Sequence, residues 1–147
     1  MQRVISHITI AFFAILTLSI LTSAQSFEKK LSLKTEGTIE VKNFYGQIDI
    51  SAIDEQKNEV TLKANSAGKF SEKDIKIDAS SGKIKIEVAP QNQDSRIDLT
   101  LQIPLRTKLE LETREGQIRV SGNVQEANAE TVTGTIYADV PTFDLKY

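Results

Sequence analysis

Serine, lysine and the carboxylates are the side chains from which this sequence would have to build an active site. It has no cysteine and no tryptophan, and a single histidine, His7. Thiolate nucleophiles, disulfides and cysteine-based zinc sites are therefore excluded. His7 lies in a segment expected to be removed, so histidine bases and Ser-His dyads leave with it. A Ser-Lys arrangement remains, at Ser80-Ser81-Gly82-Lys83. It sits in a turn that opens an alternating strand and has no companion motif, so it reads as a turn.

Paired carboxylates could run glycoside hydrolysis. Glu110 and Glu112 share one face of a strand, and Asp98 lies on a similar face. Their simplest role is as solvated charges paired with neighbours such as Arg96, Lys108 and Arg119. Asn92, Asp94 and Asp98 could offer oxygens to calcium, but neither an EF-hand loop nor a glycine-aspartate nonapeptide accompanies them. There is no glycine-rich phosphate loop, and no cofactor is expected. Tyr45 and Tyr137 should face outward by strand parity, where tyrosines can stack sugars or anchor partners. They form the speculative ligand surface. Phe44 and Phe70 are expected in the core.

The elements that must position these residues are strands. From Leu31 onward the apolar period is two. Val60, Leu62 and Ala64 oppose Thr61 and Lys63, and Ile97, Leu99, Leu101 and Ile103 oppose Asp98, Thr100 and Gln102. Successive strand side chains point to opposite faces, so each segment has a dry and a wet face. No window of the mature chain carries a helical stripe.

Glycine punctuates the strands. Glu112-Thr113-Arg114-Glu115-Gly116-Gln117-Ile118 and Glu130-Thr131-Val132-Thr133-Gly134-Thr135-Ile136 both read E-T-x-x-G-x-I, with glycines 18 positions apart. Looser copies begin at Gly37, Gly46 and Gly82. Strand parity slips by one residue at Gly116 and Gly134, which demands a bulge or corner there. Recurring corners predict an all-β chain of stacked short strands, β-helix or β-solenoid-like, with an ordinary β-sandwich as the alternative.

At the N-terminus, Arg3, an apolar run from Ile8 to Leu21 and the small residues Thr22-Ser23-Ala24 make a signal peptide, cleaved after Ala24. The run is shorter than the roughly 20 residues of a membrane span, and an uncleaved N-terminal anchor is the alternative. The expected organisation is a leader at 1–24 and one domain at 25–147, either complete or the N-terminal part of a longer protein. The net charge of −2 argues against a nucleic-acid partner.

The order of motifs resembles a known family. Gly37 to Val41 and Gly46 to Ile50 are followed by Val60 to Ala64, Asp74 to Ile77 and Gly82 to Ile86. The strand from Arg96 to Pro104, the repeat from Leu109 to Gly122 and the last copy from Thr131 to Ile136 complete it. This series is similar to the "putative adhesin" domains of the DUF4097 type in bacterial envelope proteins, and covers nearly all of the mature chain. The resemblance implies an all-β, β-helix-like fold outside the cytoplasm, in the periplasm, at the cell surface or in the medium. It carries over no catalytic residue, and family members usually continue with more T-x-x-G-x-I copies.

The expected function is a non-enzymatic adhesion, scaffold or interaction module with a protein or glycan partner at the envelope. The alternatives are a carbohydrate-binding module and a spacer or regulatory domain of a larger exported protein. The stretch from Thr142 to Tyr147 is expected to leave an open edge that pairs with another chain.

Overall fold

Period-two alternation leaves each segment only one way to hide its apolar side, which is to lie in a sheet against a second sheet. The computed structural model describes residues 25–91 and 95–141. The expected leader, Asn92 and Asp94, and the stretch Thr142 to Tyr147 lie outside the described residues. Among the described residues eleven strands form: β1 Gln25–Ser32, β2 Thr38–Tyr45, β3 Ile48–Ala52, β4 Glu59–Ser66, β5 Ile75–Ala79, β6 Lys83–Val88, β7 Asp98–Ile103, β8 Lys108–Glu115, β9 Ile118–Gly122, β10 Glu126–Thr133 and β11 Ile136–Asp139.

They make two mixed sheets. Sheet A has the order β1-β4-β7-β3-β9-β11, and sheet B the order β10-β8-β2-β6-β5. The chain is all-β, and the β-sandwich expectation fits this arrangement. Within it, β2–β3, β8–β9 and β10–β11 each place one strand in either sheet around a glycine corner. These three rungs stack in parallel, in the order β2–β3, β8–β9, β10–β11. On the far side of β2–β3, β6 and β7 also pair in parallel, after which β5 and β4 pair antiparallel and β1 closes that end.

The register carries the core. Ile39, Ile84, Leu109 and Ala127 form one inward row of sheet B, and Ile48, Leu99, Ile118 and Ile136 the matching row of sheet A. The first three residues of each row are fully or almost fully buried. Each such side chain contributes on the order of 1.5–3 kcal/mol relative to exposure. Phe70 packs partly buried against this core. Phe44 does not, and the core expectation for it is corrected. Ile39 and Val41 point inward, so the same parity sends Asn43 inward and Phe44 out, where it is 41% exposed.

The wet face of sheet B carries cross-strand charge pairs. Lys42 Nζ meets Glu112 at 2.9 Å, and Glu40 takes Lys83 at 3.1 Å and Lys85 at 3.3 Å. The hydrogen bond from Lys83, joined by that from Lys85, holds the Glu40 carboxyl below the usual value of about 4.5. A group depressed on folding adds stability that is present above its unfolded pKa and is lost as pH falls through the folded one. Glu40→Gln is therefore expected to remove up to about 1 kcal/mol at pH 7 and almost nothing near pH 2. Urea titrations at the two pH values check this.

Candidate interaction surface

The three glycine corners stack on one another, and their chemistry is shared. Gly46, Gly116 and Gly134 have φ of 138°, 155° and 158°. A Cβ on Gly46 would overlap the Ile97 carbonyl, one on Gly116 the Gly46 carbonyl, and one on Gly134 the Gly116 carbonyl. Each rung's carbonyl thus fills the space left by the next rung's missing side chain. The residue three positions before each glycine answers that same carbonyl. Asn43 Nδ2 donates to Ile97 O at 2.8 Å, Thr113 Oγ1 to Gly46 O at 3.4 Å and Thr131 Oγ1 to Gly116 O at 3.5 Å. The repeat T-x-x-G is therefore a unit with a physical reason, and Asn43-Phe44-Tyr45-Gly46 is a further copy with an amide in place of the hydroxyl. That copy was legible as a polar residue on an otherwise apolar parity.

Backbone bonds run along the corner in one direction. Ile97 N donates to Tyr45 O and Leu99 N to Gln47 O. Gly46 N then donates to Glu115 O and Ile48 N to Gln117 O, and Gly116 N to Thr133 O and Ile118 N to Thr135 O, all at 2.8–3.1 Å. Each rung gives its corner N–H groups to the rung outside it. Asn43→Ala should cost about 1–3 kcal/mol by orphaning the buried Ile97 carbonyl. Asn43→Thr should recover most of that loss, since threonine does this work in the other rungs. Urea midpoints at unchanged m-value check both.

The other glycines stand elsewhere. Gly37 is closely approached by Leu33 Cδ1, 2.5 Å from where its Cβ would lie, while the positive φ of that turn falls on Glu36. Gly82 has open space around it. Gly122, with φ of 90° and the Ala52 carbonyl in its Cβ position, joins the closely approached group.

The residues with candidate chemistry are not gathered. Ser80 Oγ bonds the backbone of Lys83, whose amine is turned to Glu40. Asp98 accepts from the Gln47 N–H at 2.7 Å and pairs with Arg96, so it braces the first corner. Glu112 pairs with Lys42, and Arg119 with Asp49. Among the described residues no group of three histidine, cysteine or carboxylate side chains is placed to hold a metal, and no helix is long and apolar enough to cross a membrane.

The two tyrosines lie on different sheets. Tyr45 ends β2 in register with Glu115 and is half-buried. Tyr137, on β11, faces out and is 50% exposed, with the Arg119 guanidinium 5.9 Å from its ring centre. Arg119 is fixed from its other side by Asp49 at 3.1 Å, so the ring is braced from beneath.

Among the described residues, three of the four exposed large hydrophobic side chains lie on the last rung, β10–β11, and the fourth on β2. They are Phe44 and Tyr137 with Val132, at 80% exposure, and Ile136, at 41%. Phe44, Arg114 and Val132 flank a groove of about 370 Å³ on the outer face of sheet B, beside Lys42 and Glu112. An adjoining shallower groove of about 190 Å³ is acidic, with Glu40, Glu110, Glu112 and Glu130 around Lys42.

No family model and no curated protein matches the chain. Among solved structures it is similar to a "putative cell adhesion protein" of Clostridium sporogenes, with a TM-score of 0.50 at 15% identity over 75% of this chain and 59% of that one. It is also similar to a "putative lipid binding protein" of Parabacteroides distasonis, with a TM-score of 0.44 at 11% identity over 77% and 51%. A "putative adhesin" of the same organism has a TM-score of 0.43 at 10% identity over 80% and 58%. The chain thus spans between half and three fifths of these proteins. The likeness to the first is one of fold.

Proposed function

We propose that this chain is a non-enzymatic adhesion or interaction module of the bacterial cell envelope, of the DUF4097 type. The observation that carries the reading is the exposure of Val132, Ile136 and Tyr137 on the last described rung, with Phe44 of β2 facing Val132 across the groove on the outer face of sheet B. A chain folded for its own stability alone has no use for such a grouping, and exposed apolar groupings mark contact sites. The fold likeness to the Clostridium protein supports it. Residues 1–24 act as the export signal in this reading, and the parallel rungs are a short solenoid. The same rungs serve equally in a larger exported protein.

The test is binding of the purified protein to immobilised envelope components, namely peptidoglycan, outer-membrane vesicles and a glycan array. The protein should bind at least one of them. The combined variant Phe44→Ser, Val132→Ser, Tyr137→Ser should lose that binding at an unchanged melting temperature. Absence of binding to all three, or binding that survives the combined variant, would sink the proposal. A second reading, glycan binding, is favoured by the braced and exposed ring of Tyr137. On the array, loss of glycan binding in Tyr137→Ala alone, with vesicle binding retained, would select it.

A further inference from the structure

The rung β10–β11 repeats every device by which one rung receives the next. Gly134 O stands where Gly46 O and Gly116 O stand, each of which accepts a hydroxyl from the following rung and lies in its glycine's Cβ space. The N–H groups of Gly134 and Ile136 occupy the positions from which Gly116 and Ile118 donate outward. β10 and β11 are both terminal strands of their sheets among the described residues. The inward side chains shrink from Leu109 and Leu111 to Ala127 and Ala129. Ile136 is left 41% exposed, although its row partners Ile48 and Ile118 are fully buried.

Charge specifies the occupant further. In the wet row of sheet B, Lys42 lies beside Glu112, and Glu112 beside Glu130 in register. The row therefore ends on two adjacent acids, while Glu126 ends a row of its own beside Lys108. A neighbour carrying lysine or arginine opposite Glu126 and Glu130 would restore the alternation seen at Lys42 and Glu112, whereas a second acidic copy would extend the repulsion.

We infer that this end binds a strand–glycine–strand segment of a partner polypeptide by parallel β-augmentation of both sheets at once. The segment has Thr, Ser or Asn three residues before its glycine, an aliphatic residue two after it, and basic residues facing Glu126 and Glu130. Main-chain bonds supply affinity and the glycine corner supplies register. The inference rests on the interaction reading but uses the edge backbone rather than the outer-face side chains. The combined outer-face variant can therefore fail to bind envelope components and still take up the segment.

The probe is a 14-residue peptide copying Glu126–Asp139 with Glu126→Lys and Glu130→Lys. Added to the protein, it should slow hydrogen exchange at the Gly134 and Ile136 amides by at least about tenfold at saturation. The unaltered acidic peptide should bind several-fold more weakly, a difference that shrinks in high salt. The basic peptide with Gly134→Val should not bind. Equal binding by basic and acidic peptides would overturn the charge assignment. Slow exchange at those amides before any peptide is added, independent of protein concentration, would make the chain's own residues the occupant. Slow exchange that grows with protein concentration would make it a second copy. Either result overturns the assignment to a partner.

Discussion

Gly116→Ala is expected to destabilise the protein by about 3 kcal/mol or more, a very large effect for a single methyl group. Two penalties coincide there. A non-glycine residue at φ 155° costs on the order of 1–3 kcal/mol. The added Cβ would also overlap the Gly46 carbonyl, and backbone in a close-packed interior yields only if the rungs part. Parting them stretches the bonds Gly46 N to Glu115 O and Ile48 N to Gln117 O, so the loss spreads to both sheets. Gly82→Ala is the control. It has nothing within 4 Å of the new methyl, and should fall within about 0.5 kcal/mol of the parent or gain slightly by restricting the unfolded chain. Urea unfolding of both variants checks this, and equal midpoints would remove the corner stacking from the account of stability.

The second large effect separates an interior rung from the last described one. Ile118 and Ile136 hold the same place in successive rungs and pair in register. Ile118→Ala should cost about 2–5 kcal/mol, the range for deleting a buried aliphatic side chain that leaves a cavity. Ile136→Ala should cost less than about 1 kcal/mol, because that side chain is already partly in water. Should Ile136→Ala match Ile118→Ala, the end of the stack would be covered in solution. With the 14-residue basic peptide bound, the penalty of Ile136→Ala on peptide affinity should rise, as its side chain then becomes interior.

Much of this was written locally. Strand alternation is a nearest-neighbour property, so Val60 to Ala64 or Ile97 to Ile103 declare their faces without reference to anything distant. The parity slip at Arg114 to Gly116 likewise marks a corner, since no regular strand can carry Leu111 and Ile118 to one core. Partner choice could not be read the same way. β2 sits between β6 and β8, and its contact with β8 joins residues 70 positions apart, a pairing that many aliphatic strands would satisfy equally well. Phe44 shows a different failure. Its parity pointed outward, but an aromatic between Asn43 and Tyr45 invites a core assignment from residue type. Period won because Asn43 Nδ2 has a partner inside, the Ile97 carbonyl, and that bond offsets part of the cost of turning the amide inward, where its Oδ1 has no partner among the described residues. The interaction surface was the least legible part, because Val132 and Ile136 look like ordinary strand residues until the neighbours they lack are counted.

The stacked corners also have a hereditary consequence. Between Gly116 and Gly134 everything a rung needs is contained in one 18-residue period: its hydroxyl, its glycine, its inward pair and its return turn. In-frame duplication of that period would lengthen the protein by one rung without rewriting any older contact, since a rung touches only its neighbours. The opposite end has no such freedom, because β4 and β5 reverse direction there and β1 closes sheet A. Length in such a lineage would therefore change by whole periods, and on one side only.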